Sequence, residues 1–234
     1  MNPKATAPAA SVVALILAGG YGLRLDAHLP KQYIEVKGES VLHHTLRAFA
    51  GKVGNAVVVC RDEWRDYVLT HGHPHFPQLR TAQAGATGFD SLRNGIASLA
   101  DLPGDTLIMI HDAVRPLISA EIIADNLRVA RECGNAIAAI ETYETLLHAP
   151  DGGSTVRGFT RREGIFRAQT PHTFTLSTLR QMMATAQERC IVDAQSACTL
   201  ASQLGYELHL SKGDLRNFKI TTPSDLNLYE ILVP

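Results

Sequence analysis

Apolar residues fall into two alternating patterns along this chain. Continuous runs at residues 12–17 (VVALIL), 55–60 (NAVVVC) and 106–110 (TLIMI, ending at His111-Asp112) have the composition of strands buried on both faces of a parallel sheet. A weaker run at 79–84 and another at 136–140 extend the series. Between the runs, Val41, Leu42, Leu46 and Phe49 recur at helical spacing, and Trp64, Val68 and Leu69 mark the apolar side of a helix near 63–70. Further helices are predicted over 91–99 and 122–131. Strands that alternate with helices imply an α/β fold with a doubly wound, mostly parallel, Rossmann-like sheet. Ligands of such sheets bind beyond the carboxyl ends of the strands.

The rhythm changes between residues 141 and 166. Two extended segments, 142–148 and 154–160, flank the turn-rich Ala149-Pro150-Asp151-Gly152-Gly153. A hairpin this long has little of its own to pack against, so it reads as a β-arm for dimerisation. The α/β pattern resumes with helices over 176–186 and 193–204, a strand over 207–210 and a last helix starting near Pro223. Residues 1–10, polar and rich in Ala and Pro, read as a disordered terminus, and 11–234 as a single domain.

Chemistry concentrates after the first strand. Residues 14–33 read ALILAGGYGLRLDAHLPKQY, an apolar run that ends in Gly19, Gly20 and Gly22 with Arg24 and Lys31 shortly after. Glycines let the main chain turn sharply and let bare N–H groups approach an anion. Arg24 offers a planar fork to phosphate oxygens and Lys31 a compact charge, with Pro30 fixing the approach to the lysine. The pattern therefore suits a phosphate-rich ligand. It is not a Walker loop, because no Lys-Ser or Lys-Thr follows the glycines, nor a dinucleotide fingerprint, because Leu25 stands where the third glycine belongs. A Rossmann-type oxidoreductase is disfavoured by the same departure.

Charge and cysteines narrow the partners. A formal net charge of −1 gives no electrostatic case for a nucleic-acid polymer or a membrane surface, so an anionic ligand must be held locally. No run approaches the length of a membrane helix, and the four cysteines, Cys60, Cys133, Cys190 and Cys198, lack metal or redox spacing, as expected of a reduced cytoplasmic protein. His71, His73 and His75 alternate, but Pro74 and Pro77 mark an irregular connection and no carboxylate or cysteine adjoins them, so no metal site is assigned.

Five motifs in one order carry a resemblance that runs from Val13 to about Leu228. They are LILAGGYGLRL, LPKQY, IHDAVRP (residues 110–116), QTPHTF (169–174) and NFKITTPSDL (217–226). With them the chain resembles the CTP-dependent cytidylyltransferases of small polyol phosphates, a family that includes 2-C-methyl-D-erythritol 4-phosphate and D-ribitol-5-phosphate enzymes. The resemblance implies that a polyol phosphate attacks the α-phosphorus of CTP and pyrophosphate leaves. Catalysis of that kind is alignment and charge neutralisation, without a covalent intermediate. By the same resemblance Arg24, Lys31 and Lys219 are the catalytic cations, and Leu17, Ala18, Gly19, Gly20 and Gly22 cradle CTP. The resemblance leaves Gly85 and Ser91 available to the cytidine part. Asp112 serves the nucleotide and the polyol hydroxyls, with Arg115 close by, while Thr145 and Arg162 reach the polyol phosphate, the arginine from a neighbouring subunit. Magnesium would bridge the CTP phosphates, with no protein ligand assigned.

Departures from the family pattern cluster near the acceptor. Gly88 replaces an arginine usual in Gly-x-x-Arg-x-x-Ser, Leu147 replaces a lysine of the erythritol enzymes, Val192 replaces a hydroxyl residue, and Arg216 replaces an acidic residue of some members. Leu147 is closer to the ribitol enzymes, but HDAVRP, Arg162 and Lys219 suit both acceptors, so the resemblance puts methylerythritol phosphate, the commoner role in the family, first, ribitol 5-phosphate next and another phosphate or phosphonate after that. A non-catalytic nucleotide-binding paralogue is the competing reading of a different class.

Overall fold

The computed structural model describes residues 11–21, 29–150 and 152–233. Strand β1 (Val12–Leu17) leads to a two-strand ribbon, β2 (Glu35–Val36) and β3 (Glu39–Ser40), then α1 (Val41–Phe49), β4 (Asn55–Cys60), α2 (Arg65–Gly72) and β5 (Arg80–Gln83). Helix α3 (Gly88–Ala97), β6 (Leu107–Asp112), α4 (Ala120–Cys133) and β7 (Asn135–Glu141) follow. The remainder holds β8 (Leu146–His148), β9 (Gly158–Thr160), β10 (Phe166–Thr175), α5 (Leu176–Glu188), α6 (Ala197–Gln203), β11 (Leu210–Lys212) and α7 (Pro223–Leu232).

Seven strands form one sheet in the order β11-β7-β10-β6-β1-β4-β5. Strand β1 runs parallel to β4 and β6, β4 to β5, and β11 to β7. The mostly parallel α/β sheet expected from the alternating pattern is therefore present, with β10 as its antiparallel member between β6 and β7. Side chains of β1 explain its unbroken hydrophobicity. Ala14 and Ile16 face one core with Leu42, Leu46 and Phe49 of α1 and Ile122 of α4, whereas Val13 and Leu15 face the other with Leu92 of α3 and Leu179 of α5.

Strand β10 was invisible to hydrophobic patterning because its middle is polar. Gln169, Thr170, His172 and Thr173 are all buried, and the pairing register with β7 shifts between Ala168 and His172, around a proline that has no N–H to give. Asn126 of α4 makes this tolerable. Fully buried, it donates through Nδ2 to Ser211 Oγ of β11 (2.7 Å) and to the Pro171 carbonyl (3.2 Å), and its Oδ1 accepts from the Thr173 hydroxyl (2.6 Å). One amide thus ties α4 to two strands and satisfies polar groups that the ladder leaves over.

Three expected boundaries move for local reasons. The helix expected at 91–99 starts at Gly88, because Thr87 and Asp90 form a reciprocal capping box. The helix expected over 193–204 spans only Ala197–Gln203, since Ser196 and Thr199 cap it and leave 193–195 outside. The strand expected at 207–210 lies instead at Leu210–Lys212. The Asn135 side chain occupies the backbone of the earlier residues, donating to the Glu207 carbonyl and accepting from His209 N–H.

The arm expected over 141–166 leaves the sheet where Glu141 of β7 pairs with Phe166 of β10. Its strands are shorter than expected: Leu146, Leu147 and His148 pair antiparallel with Thr160, Phe159 and Gly158, and the other described residues of the arm are irregular. Tyr143, Leu147, Val156 and Phe159 are each more than half exposed there, at 71%, 61%, 55% and 69%. Of the alternating histidines, His75 pairs with His43 of α1 (2.7 Å between Nε2 atoms) and His71 Nδ1 lies 2.8 Å from the Tyr67 carbonyl. No helix among the described residues is long and apolar enough to cross a membrane.

Two outcomes follow for stability. Asn126→Ala strands three buried polar partners and is expected to cost about 2–4 kcal/mol, read as a lowered urea midpoint. Burial pushes His111 of β6 and His172 of β10 down to about 4, well below the usual histidine value. Both bind protons more readily when unfolded, so their contribution is complete above about pH 6.5 and is lost as pH falls towards 4. Urea titrations across this interval should show stability declining with acidity. A flat profile between pH 6.5 and 4 would contradict it.

Candidate functional site

The carboxyl ends of β1, β4, β5 and β6 open onto one cavity of about 720 Å³. Leu17 at the end of β1 and Ala18, Gly19, Gly20 and Tyr21 beyond it line the cavity, with Arg61 after β4, Gly85 to Gly88 after β5, Asp112 at the end of β6 and Arg115 beyond it. Lys31, Ser91, Gln169, Thr170, Gln195, Ser196 and Lys219 complete much of the remaining wall. Gly22 and Arg24 lie outside the described residues.

Packing shapes the glycine loop. A Cβ on Gly19 would come within 2.5 Å of the Ala84 Cβ, and one on Gly85 within 2.2 Å of the Asp90 Cβ, so both positions exclude a side chain on steric grounds. Gly20 and Gly88 differ, since a Cβ at either would meet nothing within 4 Å. Gln32 straps the loop down, its Nε2 donating to the carbonyls of Ala18 (2.6 Å) and Gly20 (2.8 Å). Gln32 is buried beside Lys31 in a short 3-10 turn, so the strap also positions the lysine. Ser91 acts similarly on the next loop, its Oγ accepting from Gly85 N–H (3.0 Å) and donating to the Thr87 carbonyl (2.9 Å).

Asp112 organises the opposite wall. Its Oδ2 accepts from Arg115 Nε at 3.0 Å and its Oδ1 from Lys219 Nζ at 3.2 Å. Burial alone would raise this carboxyl, but Lys219 and Arg115 outweigh it and hold Asp112 well below the usual carboxylate range. Arg115 also donates to the Asn217 carbonyl (2.8 Å), and Lys31 Nζ donates to the Ile220 carbonyl (2.8 Å), so residues 217–220 are clamped between two cations. Buried Asn217 donates to the Thr170 carbonyl (2.8 Å) and anchors that segment to β10.

His111 underlies the same wall with a defined proton arrangement. A carbonyl can only accept, so the contact of Nε2 with the Arg115 carbonyl (3.1 Å) places the ring proton on Nε2. Nδ1 of the neutral ring then accepts from the Thr170 hydroxyl (3.0 Å), whose oxygen accepts from Asp112 N–H (3.1 Å).

The expected residues thus separate into groups. Lys31, Lys219, Asp112, Arg115, Gly85, Ser91 and the loop from Leu17 to Gly20 share the cavity. Thr145 and Arg162 do not line it; both are exposed on the arm, where Arg162 donates to the Tyr143 carbonyl (3.1 Å). Sequence reasoning gave no role to Arg61, Thr170 or Gln195, although Arg61 immediately follows an apolar strand, the position where ligands of such sheets are met.

The described lining carries four cations, Lys31, Arg61, Arg115 and Lys219, against the single carboxylate Asp112. A chain with a net charge near zero therefore concentrates positive charge in one cleft, which suits a polyanion.

Comparisons with known proteins agree with this geometry. Residues 12–234 match the family model described as IspD: 2-C-methyl-D-erythritol 4-phosphate cytidylyltransferase. The ribitol-5-phosphate cytidylyltransferase of Streptococcus agalactiae serotype III (strain NEM316) is 32% identical over 226 residues, covering 94% of both chains. The 2-C-methyl-D-erythritol 4-phosphate cytidylyltransferase of Bacteroides thetaiotaomicron is 34% identical over 223 residues, covering 94% of this chain and 98% of its own. The crystal structure of 2-C-methyl-D-erythritol 4-phosphate cytidylyltransferase from Thermus thermophilus superimposes with a TM-score of 0.75 at 30% identity, over 95% of this chain and 98% of that one. With its motifs, its sheet and the whole described cleft inside the matched span, this chain belongs to the IspD family of cytidylyltransferases.

Proposed function

We propose that this protein transfers CMP from CTP to 2-C-methyl-D-erythritol 4-phosphate, releasing pyrophosphate, in the non-mevalonate route to isoprenoids. The observation that carries the transferase reading is the convergence of Lys31, Lys219 and Arg115 with the Ala18–Gly20 loop on one cleft at the carboxyl end of the sheet. A phosphate oxygen of the acceptor attacks the α-phosphorus of CTP, the bond to the β-phosphate oxygen breaks, and pyrophosphate departs with its electron pair. Every reacting group is an anion, so fixed cations lower the barrier by offsetting charge that accumulates on the α-phosphoryl oxygens. Lys31 and Lys219 are assigned this role here, together with Arg24, which follows the loop in sequence.

Asp112 and Arg115 are assigned to the acceptor and ribose hydroxyls. The Asp112 carboxylate stays ionised and accepts hydrogen bonds, while its two cations keep it oriented. It is the only carboxylate among the described lining residues and both its oxygens are engaged, so these residues form no metal-holding set. Magnesium would therefore be held by the nucleotide, not by these residues, and would supply further positive charge to offset the triphosphate.

Ribitol 5-phosphate is the second acceptor in this reading, supported by Leu147 in place of a lysine and by relatives of both names at similar identity. The exposed apolar residues of the arm support a homodimer in which Arg162 of one subunit serves the acceptor site of the other.

Pyrophosphate release with CTP, magnesium and each polyol phosphate separately tests the acceptor. Turnover is expected with methylerythritol phosphate, and turnover with ribitol 5-phosphate alone would reverse the order. Lys31→Ala is expected to lower kcat by about two to three orders of magnitude, while circular dichroism stays unchanged. A kcat within about threefold of the parent would remove Lys31 from the reacting centre.

A further inference from the structure

Of the four cations among the described residues that line the cleft, three already have partners. Lys31 holds the Ile220 carbonyl, Arg115 holds Asp112 and the Asn217 carbonyl, and Lys219 holds Asp112. Arg61 is different: its guanidinium has no carboxylate and no hydrogen-bond acceptor among the described residues, and its Nε is buried without a partner. The side chain is nonetheless fixed, because the guanidinium lies 3.3 Å above the ring centroid of Tyr21, at the end of the glycine loop. A partly buried charge with no counter-charge is costly to keep. A platform that holds it at the mouth of a polyanion-binding cleft gives that cost a purpose.

Position indicates which part of the ligand it meets. In the sheet β1 lies between β6 and β4, so Asp112 with Lys219 and Arg61 stand on opposite sides of the β1 loop. Two strand spacings, about 10 Å, separate these flanks. A triphosphate laid across the loop with its α-phosphate towards Lys219 presents its far end to Arg61. Neutral acceptors of a pyrimidine ring satisfy a guanidinium less well than anionic oxygens, since charge-assisted hydrogen bonds are about twice as strong.

We propose that Arg61, held on Tyr21, binds the β- and γ-phosphates of the nucleotide and so positions the departing pyrophosphate. This rests on the cytidylyltransferase reading above. Lys31 and Lys219 act on the transferred phosphoryl group; Arg61 acts on the group that leaves.

Isothermal titration with CTP, CMP and inorganic pyrophosphate, on the parent protein, Arg61→Ala and Arg61→Lys, separates the possibilities. Arg61→Ala is expected to weaken CTP and pyrophosphate by about 10- to 100-fold and CMP by less than about threefold. Arg61→Lys, which keeps the charge but loses the planar fork, is expected to fall between. Tyr21→Ala is expected to reproduce part of the loss for CTP and pyrophosphate. Equal weakening of CTP and CMP would overturn the assignment in favour of a base contact or a structural role, as would unchanged binding of all three ligands. A parent protein that binds CTP and releases pyrophosphate, beside an Arg61→Ala variant that does both as well, overturns the role of Arg61 alone. A parent protein that does neither overturns the transferase reading, and this inference with it.

Discussion

Because Asp112 stands at the end of β6 with Arg115 on one oxygen and Lys219 on the other, segments 107 residues apart in sequence are held at the same end of the sheet. Two cations brought this close would repel each other, and the shared carboxylate is what lets them coexist before any ligand arrives. The arrangement is supported from beneath by a neutral His111, whose ring links the Arg115 carbonyl to Thr170, and through Thr170 to Asp112 N–H. Charge at the surface of the cleft and neutrality just below it are two parts of one structure. A protonated imidazole there would add a third positive group behind the pair and would need to give up its acceptor role towards Thr170.

The same logic accounts for the antiparallel strand. Strand β10 enters the sheet beside β6 and carries Gln169, Thr170 and His172 to the cleft, where polar side chains are needed. Burying that polar stretch in the middle of a sheet is feasible because α4 contributes Asn126 and the segment 217–220 contributes Asn217, each bonding groups that the strand ladder does not use. Chemistry at the strand end is thus bound up with amides placed well inside the fold.

Much of the α/β frame was legible in the chain, since β1, β4 and β6 are apolar on both faces and the helices between them keep a clear period. The glycine loop, Lys31 and Asp112 were legible for the same reason, as each follows directly from a strand end or a short motif. What escaped were features set by distant partners. Strand β10 has no hydrophobic signature, the start of β11 is decided by the Asn135 side chain, and α6 is shortened by hydroxyl capping at Ser196 and Thr199. Arg61 was passed over because an isolated arginine after a strand has no motif around it, and its meaning depends on a tyrosine forty residues earlier, Tyr21, folding beneath it.

The two inner glycines of the loop have different histories written into them. Gly19 is compelled by Ala84, and Gly85 by Asp90, since a side chain at either would force its neighbour to move. Gly20 is under no such compulsion from its neighbours. A side chain can therefore be added at position 20 without disturbing the packing of the loop, whereas one at position 19 would push the two strand-end loops apart.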